Sequence, residues 1–246
     1  MKGRRDTQCI RQETVPALHE QAVDIHDLIF RYGTGRVVLD IPAFSVTRGE
    51  RVFIHGPSGS GKTTLLGVIA GVLPATSGSV RVLGRDLSRL AAAERDAHRA
   101  AHIGYIFQMF NLIPYLSVAD NIALPAALSR ARAARLDRTR SDAAHVLAQR
   151  LGIAELLPVS ATKLSVGQQQ RVAAARALFG SPELVIADEP TSALDSDRRK
   201  DFLELLFDIC ANAGATLLFV SHDRQLEPMF DRAVSLVESH RETQSR

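Results

Sequence analysis

The sequence predicts an α/β fold built on a parallel sheet, and three observations carry that expectation. A strand-like run, RVFIHG, leads directly into the glycine-rich turn GPSGSGKTT and then into an apolar stretch that opens with helix-compatible residues, the order of a strand–loop–helix unit. Strand character returns at ELVIAD (183–188) and ATLLFVSH (215–222), with helical periodicity between them. Between Leu116 and Phe179 alanine, leucine and arginine dominate and β-branched runs almost vanish, which reads as a helical insert.

Residues 1–22 have no apolar core of a secretory signal and are expected to form a polar tail. From Val23 the pattern alternates through VDIHDLIFRY, VVLDIPAFSV and RVFIHG, each bounded by glycine, proline or charge, and predicts three strands. VRVLG (80–84) and HIGYIF (102–107) read as two more. Beyond the insert, the helix before the second late strand carries Phe202, Leu205, Leu206 and Ile209 at i, i+3, i+4, i+7, with Asp195 or Ser196 as its N-cap. RAVSLV closes the domain at residue 237, and residues 238–246 show no apolar pattern.

Composition narrows the function classes. At 246 residues, with 46% apolar and 23% charged residues, the chain is long enough to bury a core without disulfides. A net charge of +3 is too small to argue for nucleic acid, so no nucleic-acid partner is expected. The longest apolar run, Leu65 to Leu73, is nine residues, about half of a bilayer span. Cys9 and Cys210 form no metal-binding or CxxC pattern and read as free thiols of a reducing compartment.

The chemistry is concentrated in two segments. Gly56, Gly61, Lys62 and Thr63 in GPSGSGKT fit G-x-x-x-x-G-K-[ST] in the strand-to-helix context that the pattern needs. Glycines let backbone N–H groups converge on phosphate oxygens, Lys62 would reach the terminal phosphates, and the Thr63 hydroxyl would hold Mg²⁺. In LVIADEP, Asp188 emerges at the C-terminal end of a buried strand as the second hard-oxygen ligand, and Glu189 follows as general base or water-orienting group.

Residues 164–178, LSVGQQQRVAAARAL, resemble the signature of ATP-binding cassette (ABC) transporter subunits: Leu164, Ser165, Gly167 and Gln168 match LSGGQ, with Val166 in place of one glycine. The resemblance covers residues 23–237. It implies a P-loop NTPase core of RecA-like type with an antiparallel β subdomain and a helical subdomain inserted at about 109–178. It also implies that Gly56, Pro57, Ser58, Gly59, Ser60, Gly61, Lys62, Thr63 and Thr64 hold the phosphates of ATP, with Tyr32, 24 residues before Gly56, stacking on adenine. By the same resemblance Gln108 senses Mg²⁺ and the attacking water, Asp195 in SALD reaches across a dimer, and His222 contacts the γ-phosphate.

Such proteins work as head-to-tail dimers in which Ser165, Gly167 and Gln168 of one copy close over ATP held by the other, so the resemblance implies a homodimer driving separate membrane permease subunits. The stretch from Gln108 to Asn121 would be the docking region for that permease. DNIALP and QQQR are most similar to the lipoprotein-release, macrolide-export and cell-division branch, which implies a peripheral protein at the cytoplasmic face of the inner membrane, engaged in export or extraction. A mechanical signalling role of the cell-division type is the alternative. His98 and His145 read as solvated or structural, and the arginines near 130–140 as a solvated helix face.

Overall fold

The computed structural model describes residues 20–192 and 194–236. Strands β1 (Gln21–Arg31) and β2 (Val37–Thr47) form an antiparallel hairpin, with Ile25 opposite Phe44. After β3 (Arg51–His55), the chain returns through β4 (Ser77–Val82) on the other side of β1 and β5 (Arg85–Asp86) on its edge, giving the antiparallel order β2-β1-β4-β5. The second sheet is parallel where its strands pair. It adds β6 (Ile103–Ile106), β7 (Leu184–Asp188), β8 (Thr216–Val220) and β9 (Arg232–Ser235) in the order β6-β7-β8-β3-β9. The antiparallel subdomain and the strands expected from the sequence are therefore present. β1 begins at Gln21, two residues before the expected domain start, and buries both Gln21 and Ala22. Cys9 and the two expected tails lie outside the described residues, apart from positions 20–22.

All five residues of β7 and of β8 are buried, as in a strand covered on both faces. The strand period of two then divides the core. Phe53, Val185, Ala187, Leu217 and Phe219 face the helical insert, whereas Val52, Ile54, Leu184, Ile186, Leu218 and Val220 face the antiparallel sheet and helix α1 (Lys62–Ile69). Helix α2 (Ala92–His102), which has no counterpart among the elements expected from the sequence, leads into β6; the Glu94 carboxylate accepts the Ala91 N–H at its start.

The insert contains α3 (Val118–Leu128), α4 (Arg130–Ala134), α5 (Arg140–Arg150) and α6 (Val166–Leu178), capped by the hydroxyls of Ser117, Ser129, Thr139 and Ser165. Asp195 caps α7 (Ser196–Ala213), one of the two caps expected there, and Gly214 ends it in the left-handed conformation. Phe202, Leu206 and Ile209 of α7 are buried, with Leu205 packed at their edge.

The arginines near 130–140 correct the expectation of a solvated face. Arg130, Arg138 and Arg140 are exposed, but Arg132 is only 2% exposed. Its guanidinium donates to the carbonyls of Ala100, Ile103, Ala177 and Phe179, and Arg135 donates to Ala101 at 2.7 Å and to Glu183 at 3.0 Å. These carbonyls belong to the last turns of α2 and α6 and the residues just beyond, where helices run out of backbone donors. Buried carbonyls must be paired, and an arginine fork supplies five donors at once. Desolvation lowers the Arg132 pKa to about 10, which still leaves it charged at neutral pH.

Candidate functional site

The C-terminal ends of β3, β6, β7 and β8 share one edge of the parallel sheet, the edge at which ligands of such sheets bind. There a cleft of about 520 Å³ is lined by Val38, Gly56, Ser58, Gly59, Gly61, Lys62, Thr63, Thr64, Gln108, Asp188, Glu189 and His222. The volume falls in the range of small-molecule sites. Every expected residue of the catalytic and metal sets lines this one cleft. Val38, from β2 of the antiparallel sheet, has no signal in the sequence.

The loop after β3 is built for close backbone approach. Gly61 caps α1 at φ 89°, where any side chain is strained, and a Cβ there would lie 2.6 Å from Leu39 Cδ2 and push that side chain aside. Lys62 Nζ donates to the carbonyls of Gly56 and Pro57, each at 2.9 Å, holding the loop curled over the start of α1. The Ser60 hydroxyl is buried in the same loop and has no hydrogen-bond partner among the described residues. At the rim, Tyr32 is 56% exposed, packs edge-on against Phe30, and its hydroxyl lies 3.3 Å from Thr64 Oγ1. Its ring is therefore beside the phosphate loop and open to a planar ligand.

Opposite the loop, the Asp188 carboxylate shares the cleft with Thr63, whose hydroxyl favours its charged form. Burial pushes that carboxyl above its ordinary range, with Thr63 opposing the shift, the Glu189 charge adding to it and Lys62 lowering it. A buried acid beside a hydroxyl is a hard-oxygen pair suited to Mg²⁺. Glu189 would face away from Asp188 if the strand simply continued, because side chains alternate. Instead it adopts φ 46°, a left-handed turn, and its N–H bonds Val220 O at 3.0 Å. That turn brings two adjacent acids to one cleft and sets Glu189 Oε2 2.8 Å from His222 Nδ1.

The signature residues stand elsewhere. Ser165 Oγ accepts the Gln168 N–H while Gln168 Oε1 accepts the Ser165 N–H at 2.9 Å, a capping box that opens α6. Ser165, Gly167 and Gln168 line a separate cleft of about 340 Å³ with Arg171, Leu194 and Arg198, and it shares no residue with the first. Part of the SALD segment lies outside the described residues at position 193, although Asp195 is described as the cap of α7.

Sequence reasoning missed Arg176. From α6 its two terminal nitrogens donate to Phe110 O and Asn111 O, each at 2.6 Å, just beyond Gln108. The available signal was a lone charge set among alanines in AAARAL, the apolar second half of α6. His98 is structural, as one of its two expected readings had it: it is buried, with Nε2 3.2 Å from Val82 O. Cys210 is a buried free thiol whose pKa burial pushes up to about 12.

The family model described as ABC transporter matches residues 39–192. The chain is 40% identical over 219 residues to the lipoprotein-releasing system ATP-binding protein LolD 2 of Rhodospirillum rubrum, covering 88% of this chain and 94% of that protein. It is 39% identical over 200 residues to the macrolide export ATP-binding/permease protein MacB of Burkholderia pseudomallei, covering 81% of this chain and 30% of the much longer MacB. Among solved structures it is similar to the dimeric bacterial ABC transporter cassette MJ0796, at TM-score 0.77 and 30% identity over 88% of this chain and 94% of that one. A second MJ0796 structure, a dimeric post-hydrolysis state bound to ADP and phosphate, matches at TM-score 0.76 and 31% identity, covering 87% and 93%. With its phosphate loop, buried acid and signature helix in these positions, the chain belongs to the ABC transporter family and is one of its ATP-hydrolysing cassettes.

Proposed function

We propose that two copies of this chain, arranged head to tail, hydrolyse ATP to drive a permease made by separate polypeptides at the cytoplasmic face of the membrane. The observation that carries this reading is the separation of the two clefts, which share no lining residue although both belong to the nucleotide machinery of the family. A second copy brings its Ser165 and Gly167 to the phosphate loop of the first, which one chain does not do by itself. No helix among the described residues is long and apolar enough to cross a membrane, so the spanning part is assigned to a partner.

Within each cleft the loop amides and Lys62 bind the phosphates, and Thr63, Asp188 and Gln108 would hold Mg²⁺. When bound, that cation spreads the charge on the phosphate oxygens and orients them for in-line attack. Glu189 orients the attacking water and takes up its proton, and His222 at 2.8 Å fixes the carboxylate and reaches toward the terminal phosphate. Tyr32 stacks on the base. The free N–H groups at the start of α6 close on the phosphates from the partner side.

Likeness to relatives named for lipoprotein release and macrolide export supports export or extraction of an amphiphilic load. The test is purification of the native complex from detergent-solubilised membranes, with the permease identified by mass spectrometry and ATP turnover measured in its presence. A chain that hydrolyses ATP at full rate as a monomer, with no membrane protein bound, would overturn the reading.

A further inference from the structure

Gln108 is joined to the core by β6 on one side and reaches the helical insert on the other. Immediately after it the backbone adopts two consecutive left-handed residues that are not glycine, Phe110 at φ 58° and Asn111 at φ 47°. Each is disfavoured for an L-residue, so a run of two persists only where surrounding contacts hold it. The contacts are specific. Arg176, 8% exposed, places one guanidinium nitrogen on each of the two carbonyls at 2.6 Å. The Phe110 ring is buried in the insert-side core, and further along, Asn121 of α3 pins Ile113 through both its N–H and its carbonyl. Gln108 itself is exposed and lines the nucleotide cleft.

We propose that Arg176 is a positioning residue for hydrolysis: its fork on the Phe110 and Asn111 carbonyls sets the turn that presents Gln108 to the nucleotide, and ties that turn to the helix opened by Ser165. Helix α6 has 13 residues and is about 20 Å long at 1.5 Å per residue. Its first turn belongs to the signature cleft and its last turn holds the Gln108 segment. A displacement of α6 on meeting a partner's nucleotide is therefore delivered to the same protomer's own cleft. This rests on the reading of Gln108 as a nucleotide-site residue, and the experiment separates the two.

Lysine in place of Arg176 keeps the charge but cannot hold two carbonyls in a planar fork. ATP turnover, nucleotide affinity and thermal midpoint are measured for wild type, Arg176→Lys, Gln108→Ala and the double variant. Gln108→Ala lowers kcat at least about tenfold; Arg176→Lys lowers kcat about tenfold with KM and nucleotide affinity within about twofold; the double variant is no slower than Gln108→Ala alone. Multiplying losses, or a loss confined to KM, overturns the positioning role while leaving the Gln108 reading intact. An unchanged Gln108→Ala overturns that reading and the proposal with it.

Should Arg176→Lys not fold, spin labels on the otherwise native chain decide. In a Cys9→Ser, Glu189→Gln background diluted with unlabelled chain, cysteines replace exposed Met109 with either Gln149 of α5 or Asn212 of α7. On adding ATP the 109–149 distance stays fixed and the 109–212 distance changes. A label at 109 that keeps its distance to α7 instead refutes the tie to the insert.

Discussion

His222 Nδ1 and Glu189 Oε2 stand 2.8 Å apart, brought together from strand ends 33 residues apart in the chain. The pairing depends on the left-handed turn at Glu189, which rotates its carboxylate to the side of the sheet edge that His222 occupies. A carboxylate held by the imidazole at this distance needs less reorganisation at the moment of attack than a free one.

Glu189→Gln removes the proton acceptor but keeps the shape and a hydrogen-bonding partner for His222. Turnover is expected to fall by about two to four orders of magnitude. ATP affinity survives, and the ATP-loaded dimer lasts longer than that of wild type. Phosphate release and light scattering behind size exclusion measure the two effects; undiminished turnover removes Glu189 from the reaction.

Lys62→Ala acts on binding. It deletes a cation that also closes the loop through two carbonyl bonds, so the loss includes loop order as well as phosphate contact. Nucleotide affinity is expected to weaken by roughly 1.5–3 kcal/mol, read by calorimetric titration, and retained affinity would contradict the phosphate-loop assignment.

Arg132→Met tests the buried fork. Methionine fills part of the volume but leaves four backbone carbonyls without their donor, and the expected cost is roughly 3 kcal/mol or more. Urea unfolding gives the number. Neither Arg132 nor any of its four partners lines the nucleotide cleft, so the fraction that stays folded should bind nucleotide normally.

His98 gives a pH signature. Burial, with a smaller contribution from the neighbouring His102 charge, lowers its pKa to about 4 from an ordinary value of 6.5. Between those values the unfolded chain binds a proton that the folded chain does not, so stability decreases as pH falls through that window and levels off below about 4. The contribution is on the order of 3 kcal/mol. Replacing His98 by Gln, which retains a donor for the Val82 carbonyl, should flatten the dependence of the unfolding midpoint between pH 4 and 6.5. An equally steep dependence in the variant assigns it to other groups.

The phosphate loop, the carboxylate strand, the signature helix and the insert were legible because each is a local spacing. Turn glycines, a four-residue apolar run ending in acid, and serine before an amphipathic helix all report their own conformation within a few residues. Helix α2 escaped because the segment AAAERDAHRA has alanine as its only apolar residue type, so no large apolar side chains mark its inner face, and its place is fixed by packing against β6.

The arginines mark the boundary between the two kinds of information. Nothing in the local sequence separates Arg132, which is buried, from Arg130 and Arg138, which are solvated, and the alanines around Arg176 do not say what it pairs with. The difference lies in carbonyls left unpaired at the ends of distant helices and in a strained turn 65 residues earlier in the chain. By itself the sequence determined which chemistry the chain holds and on which elements. Only the tertiary structure decided how those elements meet: that both acids face one cleft, that the signature stands in another, and which cations are spent on backbone. Such relations depend on groups far apart along the chain, whose burial creates hydrogen-bonding demands that no short window of residues contains.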